Sequence, residues 1–317
     1  MRSSTDTGAS ASMPRPIQTV TGEISPDALG FVLPHEHVFH DLYAITMSSQ
    51  MILSDKRVAR AELQELKAAG CTTLVDQTIH GLHPDPEALR QVARDVGLNI
   101  IAGTGFYWEK YHPAWLASMS DSQVVALLVK DLTEGFGTTG IRAGVLGEIG
   151  SHHRAISPAE ERVFRAVAAA QREAHVPIST HALFTRIGMD QVRLLESAGA
   201  DLDKVVIGHV DTTPDVDYHE ELLRTGVWIA YDSIGQLDKQ TDEHRADAVM
   251  ELVARGWKHR ILLSTDVGKR GALKSYGGGG YVFLIDTFLP LLRERGADSE
   301  LIDTLTRHNP RSLYTFT

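Results

Sequence analysis

The 317-residue chain carries 31 Lys and Arg against 41 Asp and Glu, for a net charge of −10, with 43% hydrophobic and 23% charged residues. This composition is typical of a globular protein and argues against a nucleic-acid or anionic-membrane surface, which needs concentrated positive charge. No stretch approaches the roughly 18 apolar residues of a membrane span, and the single cysteine, Cys71, excludes an intrachain disulfide. We therefore expect a cytoplasmic protein with a small-molecule partner.

The first 15 residues are polar and rich in small side chains, without the apolar stretch of a secretory signal. We expect residues 1–15 to form a flexible tail and residues 16–317 to form one domain. Eight short β-rich runs recur along that domain, at residues 30–37, 72–78, 99–103, 143–149, 176–181, 205–210, 227–232 and 261–266. Amphipathic helix patterns lie between or after them, at residues 55–69, 86–96, 157–174, 189–198, 214–225, 242–255 and 281–295.

Strands that alternate with helices predict parallel pairing through right-handed crossovers. Eight such units fit a (β/α)8 TIM barrel, whose usual length is about 250 residues. An open doubly wound sheet is the alternative, but the glycine-rich dinucleotide fingerprint is missing after the first strand. In a barrel, functional side chains are expected at the carboxyl ends of the strands.

The first strand ends in Pro34-His35-Glu36-His37. Side chains alternate along a strand, so His35 and His37 point to one face and are able to reach the same metal ion. Taken alone, the pair is equally well explained as two polar residues at the end of a strand.

The other strand ends favour the metal. Four more candidate ligands finish strands 4, 5, 6 and 8, namely Glu148, His181, His209 and Asp266. A buried glutamate in an apolar strand costs several kcal/mol unless it is neutralised, paired or metal-bound. Six ligands are too many for one catalytic zinc and suit two ions that share a bridging carboxylate. Imidazole and carboxylate ligands favour zinc, with Mn, Co or Fe as alternatives.

Seven short segments, taken in order, resemble the phosphotriesterase-like branch of the amidohydrolase superfamily across residues 16–316. They are QTVTG at 18–22, LPHEH at 33–37, GEIG at 147–150, TH at 180–181, IGHVD at 207–211, STD at 264–266 and NPR at 309–311. The resemblance implies a distorted (β/α)8 barrel of the amidohydrolase type, with a binuclear metal centre and hydrolytic activity. It also implies how the ligands are shared: His35, His37 and Asp266 hold the more buried ion, His181 and His209 hold the exposed ion, and Glu148 bridges them.

The bridging position departs from the best-known members of this branch, which carry a carboxylated lysine there. No lysine lies between Lys130 and Lys204, so Glu148 takes that place. A glutamate bridge is similar to that of the phosphotriesterase homology and phosphotriesterase-related subgroup. Thr212 and Ser233 stand where phosphotriesterases have an aspartate–histidine relay, which argues against efficient phosphotriester hydrolysis.

The resemblance implies that a metal-bridging hydroxide cleaves a small ester or lactone. Asp266 serves as both ligand and catalytic base, and passes the proton to the leaving group. Predicted pocket residues are Tyr107, Trp108, Ser233 and Lys269. Asp211 is predicted to hydrogen-bond to a metal ligand, with helix capping as its alternative. Tyr107 matches a lactonase tyrosine, whereas Ser233 replaces a lactonase arginine.

Three other functions stay open: hydrolysis of an N-acyl amide, hydrolysis of a phosphoester, and a non-catalytic metal-binding barrel. Members of the branch are commonly dimers, so we expect a homodimer.

Overall fold

The computed structural model describes residues 14–316. At its centre, eight parallel strands lie side by side in chain order. They are β1 (Val32–Glu36), β2 (Thr73–Asp76), β3 (Asn99–Thr104), β4 (Val145–Gly150), β5 (Ile178–His181), β6 (Val205–Gly208), β7 (Trp228–Tyr231) and β8 (Ile261–Leu263). The backbone N–H of Asp266 donates to the carbonyl of His35 at 3.2 Å, which joins the end of β8 to β1. The predicted (β/α)8 barrel is confirmed.

Seven helices of nine or more residues connect the strands: α1 (Lys56–Ala68), α2 (Pro86–Val96), α3 (Asp121–Thr133), α4 (Pro158–Ala174), α5 (Gly188–Ser197), α6 (Val216–Arg224) and α7 (Asp242–Ala254). Helical segments complete the chain after β8 at Leu284–Phe288, Leu289–Glu294, Ser299–Asp303, Thr304–His308 and Asn309–Tyr314. Smaller elements are the antiparallel pair Ile17–Thr19 and Gly22–Ile24, the pair His40–Asp41 and Ile52–Leu53, and the helical turn Tyr43–Thr46. Among the described residues, no helix is long and apolar enough to cross a membrane.

Helix α3 is absent from the predicted helices. Apolar residues are scattered around it, as in Val124-Val125 and Leu127-Leu128-Val129, so its sequence shows no sharp polar face. Its start does carry a signal, because Ser120 accepts from the N–H of Gln123 while the Gln123 side chain accepts from the N–H of Ser120. This reciprocal capping box identifies a helix N-terminus that the periodicity conceals.

The strands bury two apolar layers, one on each face. Leu33, Leu74 and Ile100 pack with residues of the surrounding helices in the larger cluster. Their neighbours Val32 and Val75 belong to a separate cluster inside the barrel. Because the side-chain period of a strand is two, adjacent residues serve these different layers. The inner cluster fills the amino-terminal end of the barrel and leaves polar side chains at the carboxyl ends.

Candidate metal centre

All six predicted ligands meet at the carboxyl ends of the strands. His35 lies in β1 and His37 directly follows it, Glu148 lies in β4, His181 ends β5, His209 follows β6 and Asp266 follows β8. Three groups of acidic or histidine side chains have ligand atoms within 4.8 Å of one another, and two of these groups share Glu148. The barrel therefore gathers residues that are up to 231 positions apart in sequence into one buried cluster.

One half of the cluster is formed by the histidines of the β1 end and two carboxylates. His37 Nε2 lies 3.4 Å from Glu148 Oε1 and 3.4 Å from Asp266 Oδ1, and His35 Nε2 lies 3.8 Å from the same Asp266 oxygen. Zinc at the usual ~2.0–2.1 Å from each ligand separates two tetrahedral ligand atoms by about 3.3 Å. These spacings therefore match the requirement for ligands around one small divalent ion.

The other half is formed by Glu148 with two further histidines. Glu148 Oε2 lies 2.8 Å from His181 Nδ1 and 3.2 Å from His209 Nε2. The other oxygen of the same carboxylate faces His37. Glu148 is thus placed between the two halves, as a bridging ligand must be.

Asp232, directly after β7, holds two of the histidines in place. Its Oδ2 accepts from Nδ1 of His35 at 2.8 Å, and its Oδ1 accepts from both Nδ1 and the backbone N–H of His209 at 2.8 Å. A histidine that donates through Nδ1 presents a bare Nε2 lone pair, which is the form that binds metal. The sequence prediction placed Asp232 at the end of a strand but gave it no role.

The metal-ligand chemistry of the site is supported by an orphaned atom. Nε2 of His35 is buried and has no hydrogen-bond partner among residues 14–316. Buried polar atoms without a partner are rare and costly. A divalent cation would satisfy this lone pair together with the surrounding carboxylates, so the residues present fit a metal.

The carboxylates and histidines of the cluster strongly shift one another's pKa values. Burial alone would lower the pKa of His37, but the carboxylates of Asp266 and Glu148 outweigh it and raise this pKa to about 10. Burial also lowers the pKa of His209, but Asp232 and Glu148 outweigh this effect and raise the pKa to about 9. Burial would raise the pKa of Glu148, and the adjacent histidines bring it well below its ordinary value. Without metal, protons on the histidines balance the carboxylates, so metal binding has to displace protons.

Asp266 is held in an unusual backbone conformation by Glu36. The φ angle of Asp266 is +47°, in the left-handed region that few residues other than glycine adopt. Glu36 accepts from the backbone N–H groups on both sides, those of Thr265 at 2.9 Å and Val267 at 2.8 Å, and also from the hydroxyls of Ser264 and Thr265. The residue between the two ligand histidines thus fixes a third ligand from the opposite face of β1.

A cavity of about 260 Å³ opens onto the cluster. Two of the four predicted pocket residues, Tyr107 and Lys269, line it, and the Tyr107 hydroxyl lies 3.1 Å from the ring nitrogens of His181. The prediction for Trp108 needs correction, because Trp108 does not itself line the cavity: its ring packs 5.3 Å from that of His152 and 5.6 Å from that of the lining residue Tyr111 (centroid distances).

Ser233 needs correction for a similar reason. It is fully buried behind the cavity lining, with its hydroxyl 3.4 Å from Nζ of Lys239. Sequence reasoning missed the residue that lies in front of it: Lys239 lines the cavity, together with Gln236 from the same loop.

Asp211 has a different role from the one predicted. Its Oδ2 accepts from Nε of the buried Arg245 at 2.6 Å, whereas Nδ1 of His209 donates to Asp232. His209 has a φ of +56°, and the chain enters a helical turn directly after it, at Val210–Thr212. This turn directs the Asp211 side chain toward helix α7.

Comparison with known proteins supports the architecture. The chain is 32% identical over 291 residues to the phosphotriesterase homology protein of Escherichia coli, covering 92% of this chain and 100% of that one. It is 29% identical over 342 residues to the N-acetyltaurine hydrolase of Xenopus tropicalis, covering 95% and 98% of the two chains. A lactonase structure from Deinococcus radiodurans is 37% identical and superposes with a TM-score of 0.84, covering 94% of this chain and 99% of that one.

Residues 15–314 match the model of the phosphotriesterase family. That family consists of binuclear metal enzymes, and its lactonase and organophosphate hydrolase members support a hydrolase here. The match spans nearly the whole described chain and includes each strand end of the cluster. The chain belongs to the phosphotriesterase family.

Proposed function

We propose that this hydrolase uses two divalent ions, zinc in preference to Mn, Co or Fe, to cleave small carboxylic esters or lactones. The observation that carries the proposal is the position of Glu148 between the two histidine pairs: its Oε1 faces His37, and its Oε2 faces His181 and His209 and lies 3.6 Å from Nε2 of His35. His35, His37 and Asp266 would hold the more buried ion, and His181 and His209 would hold the exposed one. Imidazole and carboxylate ligands without thiolates suit zinc.

When bound, such ions lower the pKa of water toward neutrality and supply a hydroxide nucleophile. Asp266 is placed to take the proton of that nucleophile on its carboxylate and to pass it to the leaving oxygen. Gln236 fixes the carboxylate for this task, because its amide donates to Asp266 Oδ2 at 3.2 Å and to the Asp266 carbonyl at 2.9 Å. The Tyr107 hydroxyl, beside His181, is positioned to donate to the acyl oxygen of the substrate.

One wall of the cavity is suited to a short acyl chain. It is apolar and consists of Leu42, Met51, Leu82 and Tyr111, which pack in one cluster with Tyr107, and the Tyr107 hydroxyl contacts His181. The cavity volume of about 260 Å³ lies at the lower end of small-molecule sites. A compact lactone or a short-chain ester fits this space and places its carbonyl beside His181.

An N-acyl amide is the second candidate substrate. Relatives that match 95% of this chain at 28–29% identity include N-acetyltaurine hydrolases from Danio rerio and Homo sapiens. The same cavity and the same proton acceptor serve amide cleavage, which depends more strongly on protonation of the leaving nitrogen. The absence of the phosphotriesterase relay at Thr212 and Ser233 places phosphoesters third.

A substrate panel separates these possibilities. The protein is reconstituted with zinc and tested with and without a chelator. Hydrolysis of lactones, aryl and alkyl esters and organophosphates is followed by proton release, and hydrolysis of N-acyl amino acids is followed by detection of the liberated amine. We expect metal-dependent turnover, highest for lactones or esters. Chelator-insensitive turnover would refute the metal-dependent mechanism. Hydrolysis of none of the four classes by fully loaded protein would refute the proposal and favour a non-catalytic metal-binding barrel.

A further inference from the structure

A lysine ammonium reaches the cluster from the loop between β7 and α7. Nζ of Lys239 lies 3.6 Å from Asp266 Oδ2 and 3.4 Å from the Ser233 hydroxyl, and the side chain is only 16% exposed. Both contacts exceed the ~2.7–2.9 Å of a good charge-assisted hydrogen bond. An ammonium has three donors. Lys239 therefore keeps hydrogen-bonding capacity for a ligand in the cavity that it lines.

The loop that carries Lys239 is rigidly anchored. The buried guanidinium of Arg245 donates to the carbonyl of Gln236 at 3.1 Å and to that of Gln240 at 2.6 Å, on either side of Lys239. The same guanidinium is neutralised by Asp211 and Asp242 at 2.6 and 2.9 Å. The ammonium is thus presented from a fixed backbone, which reduces the entropy cost of binding a partner.

A second lysine on the cavity differs in both exposure and pairing. Lys269 is 44% exposed and lies 3.5 Å from the exposed carboxylate of Asp238 at the rim. An exposed ion pair of this kind contributes little, because water screens it. Lys239 is shielded from water. Burial of His181 lowers the pKa of that histidine, and the positive charge of Lys239 lowers it further, so the field of Lys239 reaches the metal ligands. Lys239 and Lys269 are the two lysines in the cavity lining, and only Lys239 is both shielded from water and next to a metal ligand, Asp266.

The cavity therefore offers a substrate an apolar wall and, beside the metal ligands, the ammonium group of Lys239. A neutral substrate would use only the apolar wall. We propose that Lys239 binds an anionic group of the substrate, a carboxylate or sulfonate, so that the preferred ester, lactone or amide carries a negative charge near its scissile acyl bond. This inference rests on the proposed hydrolytic function of the same cavity.

Matched pairs of compounds test the proposal. The substrates are 5-oxotetrahydrofuran-2-carboxylate, a lactone, and N-acetyl-β-alanine, an amide, each compared with its neutral carboxamide. Binding without chemistry is measured by calorimetry with tetrahydrofuran-2-carboxylate and its carboxamide, which have no scissile acyl bond. The variants are Lys239→Met and Lys269→Met. Lys258→Met is the control, since Lys258 lies near the opposite end of the barrel, just before β8, and pairs with Glu300.

Wild-type protein is expected to prefer the anionic member of each pair. Lys239→Met should raise KM and Kd for the anionic compounds by ~10–100-fold, the value of one hydrogen bond to a charged group, while changing those for the neutral compounds less than ~3-fold. Lys258→Met should behave as wild type. Equal KM values for anionic and neutral substrates would overturn the proposal while leaving the hydrolytic function intact.

Three other results also decide the question. Loss of kcat on both members of a pair, with no change in KM, would show that Lys239 acts on Asp266 and not on substrate. A larger effect of Lys269→Met would assign the anion to the rim. If no substrate is cleaved, the proposed hydrolytic function fails, but calorimetry still tests the anion site. Wild-type protein that binds the carboxylate more tightly than the carboxamide, with this preference lost in Lys239→Met, would support the site.

Discussion

Replacing Asp232 by Asn should remove one metal ion selectively. The carboxylate accepts three hydrogen bonds, two at Oδ1 from His209 and one at Oδ2 from Nδ1 of His35. Asparagine has one acceptor oxygen, and this oxygen preserves most bonds when it faces His209. The amide nitrogen then faces His35 Nδ1, where two N–H groups would oppose each other.

Relief of that clash requires His35 to move its proton from Nδ1 to Nε2, the atom that faces Glu148 and Asp266. A protonated Nε2 is no longer a ligand. One hydrogen bond to a charged group is worth about 1.5–3 kcal/mol, and loss of an outer hydrogen-bond partner lowers metal affinity by about 10–100-fold. We therefore expect the ion held by His35, His37 and Asp266 to weaken by that factor.

The assay is zinc content by mass spectrometry after dialysis against a series of buffered zinc concentrations. Wild type should load two ions per chain, and Asp232→Asn should load about one over a ~10–100-fold range of free zinc. Asp217→Asn is the control, because this carboxylate is 84% exposed and contacts only the surface residue Arg255 among its ion pairs. Two ions of unchanged affinity in Asp232→Asn would refute the role assigned to Asp232.

Four further outcomes are expected. Asp266→Asn should lower kcat by ~100-fold or more with KM little changed, measured at saturating zinc, because the proton acceptor is lost; near-normal turnover would exclude that role. Removing bicarbonate during reconstitution should leave activity unchanged, since Glu148 needs no carboxylation; a clear dependence on bicarbonate contradicts the glutamate bridge. Zinc loading at pH 7 should release protons, because the pKa values of His37 and His209 are raised to about 10 and about 9 without metal. Calorimetry in buffers of different ionisation enthalpy measures this release, and the apparent zinc affinity should fall as the pH falls. Absence of proton release would contradict these pKa shifts. Burial raises the pKa of Cys71 to about 12, whereas the unfolded thiol ionises from about pH 8.5, so stability should fall by about 1.5–2 kcal/mol between pH 8 and pH 10. Urea unfolding of Cys71→Ala should lack this component, and an equal slope in both proteins would contradict it.

The sequence brings the six candidate ligands to one place because strand ends in a barrel share one rim. His35, Glu148 and Asp266 could be assigned to the same edge from the order of strands alone. The same argument applies to Asp232, which ends the seventh predicted run. Its role could not be predicted, because a hydrogen bond to two histidines on other strands depends on side-chain directions that a linear pattern does not contain.

The errors have local causes. Asp211 is two residues beyond His209, and an extended continuation of the strand would keep it on the same face. The left-handed backbone at His209 breaks that alternation and sends Asp211 to Arg245. Lys239 escaped prediction because it lies in a loop seven residues beyond Asp232, where no periodicity relates sequence position to the cavity.

The hydrogen bonds from Glu36 to the end of β8 have a consequence for the order in which the protein is made. β1 and β8 are the first and last strands of the ring, and they meet through Glu36, His35 and Asp266. A ribosome-bound chain therefore lacks one edge of the metal centre until residue 267 has emerged. Shorter nascent chains hold at most five of the six candidate ligands and no Asp266, so the candidate site is complete only after the eighth strand has been synthesised.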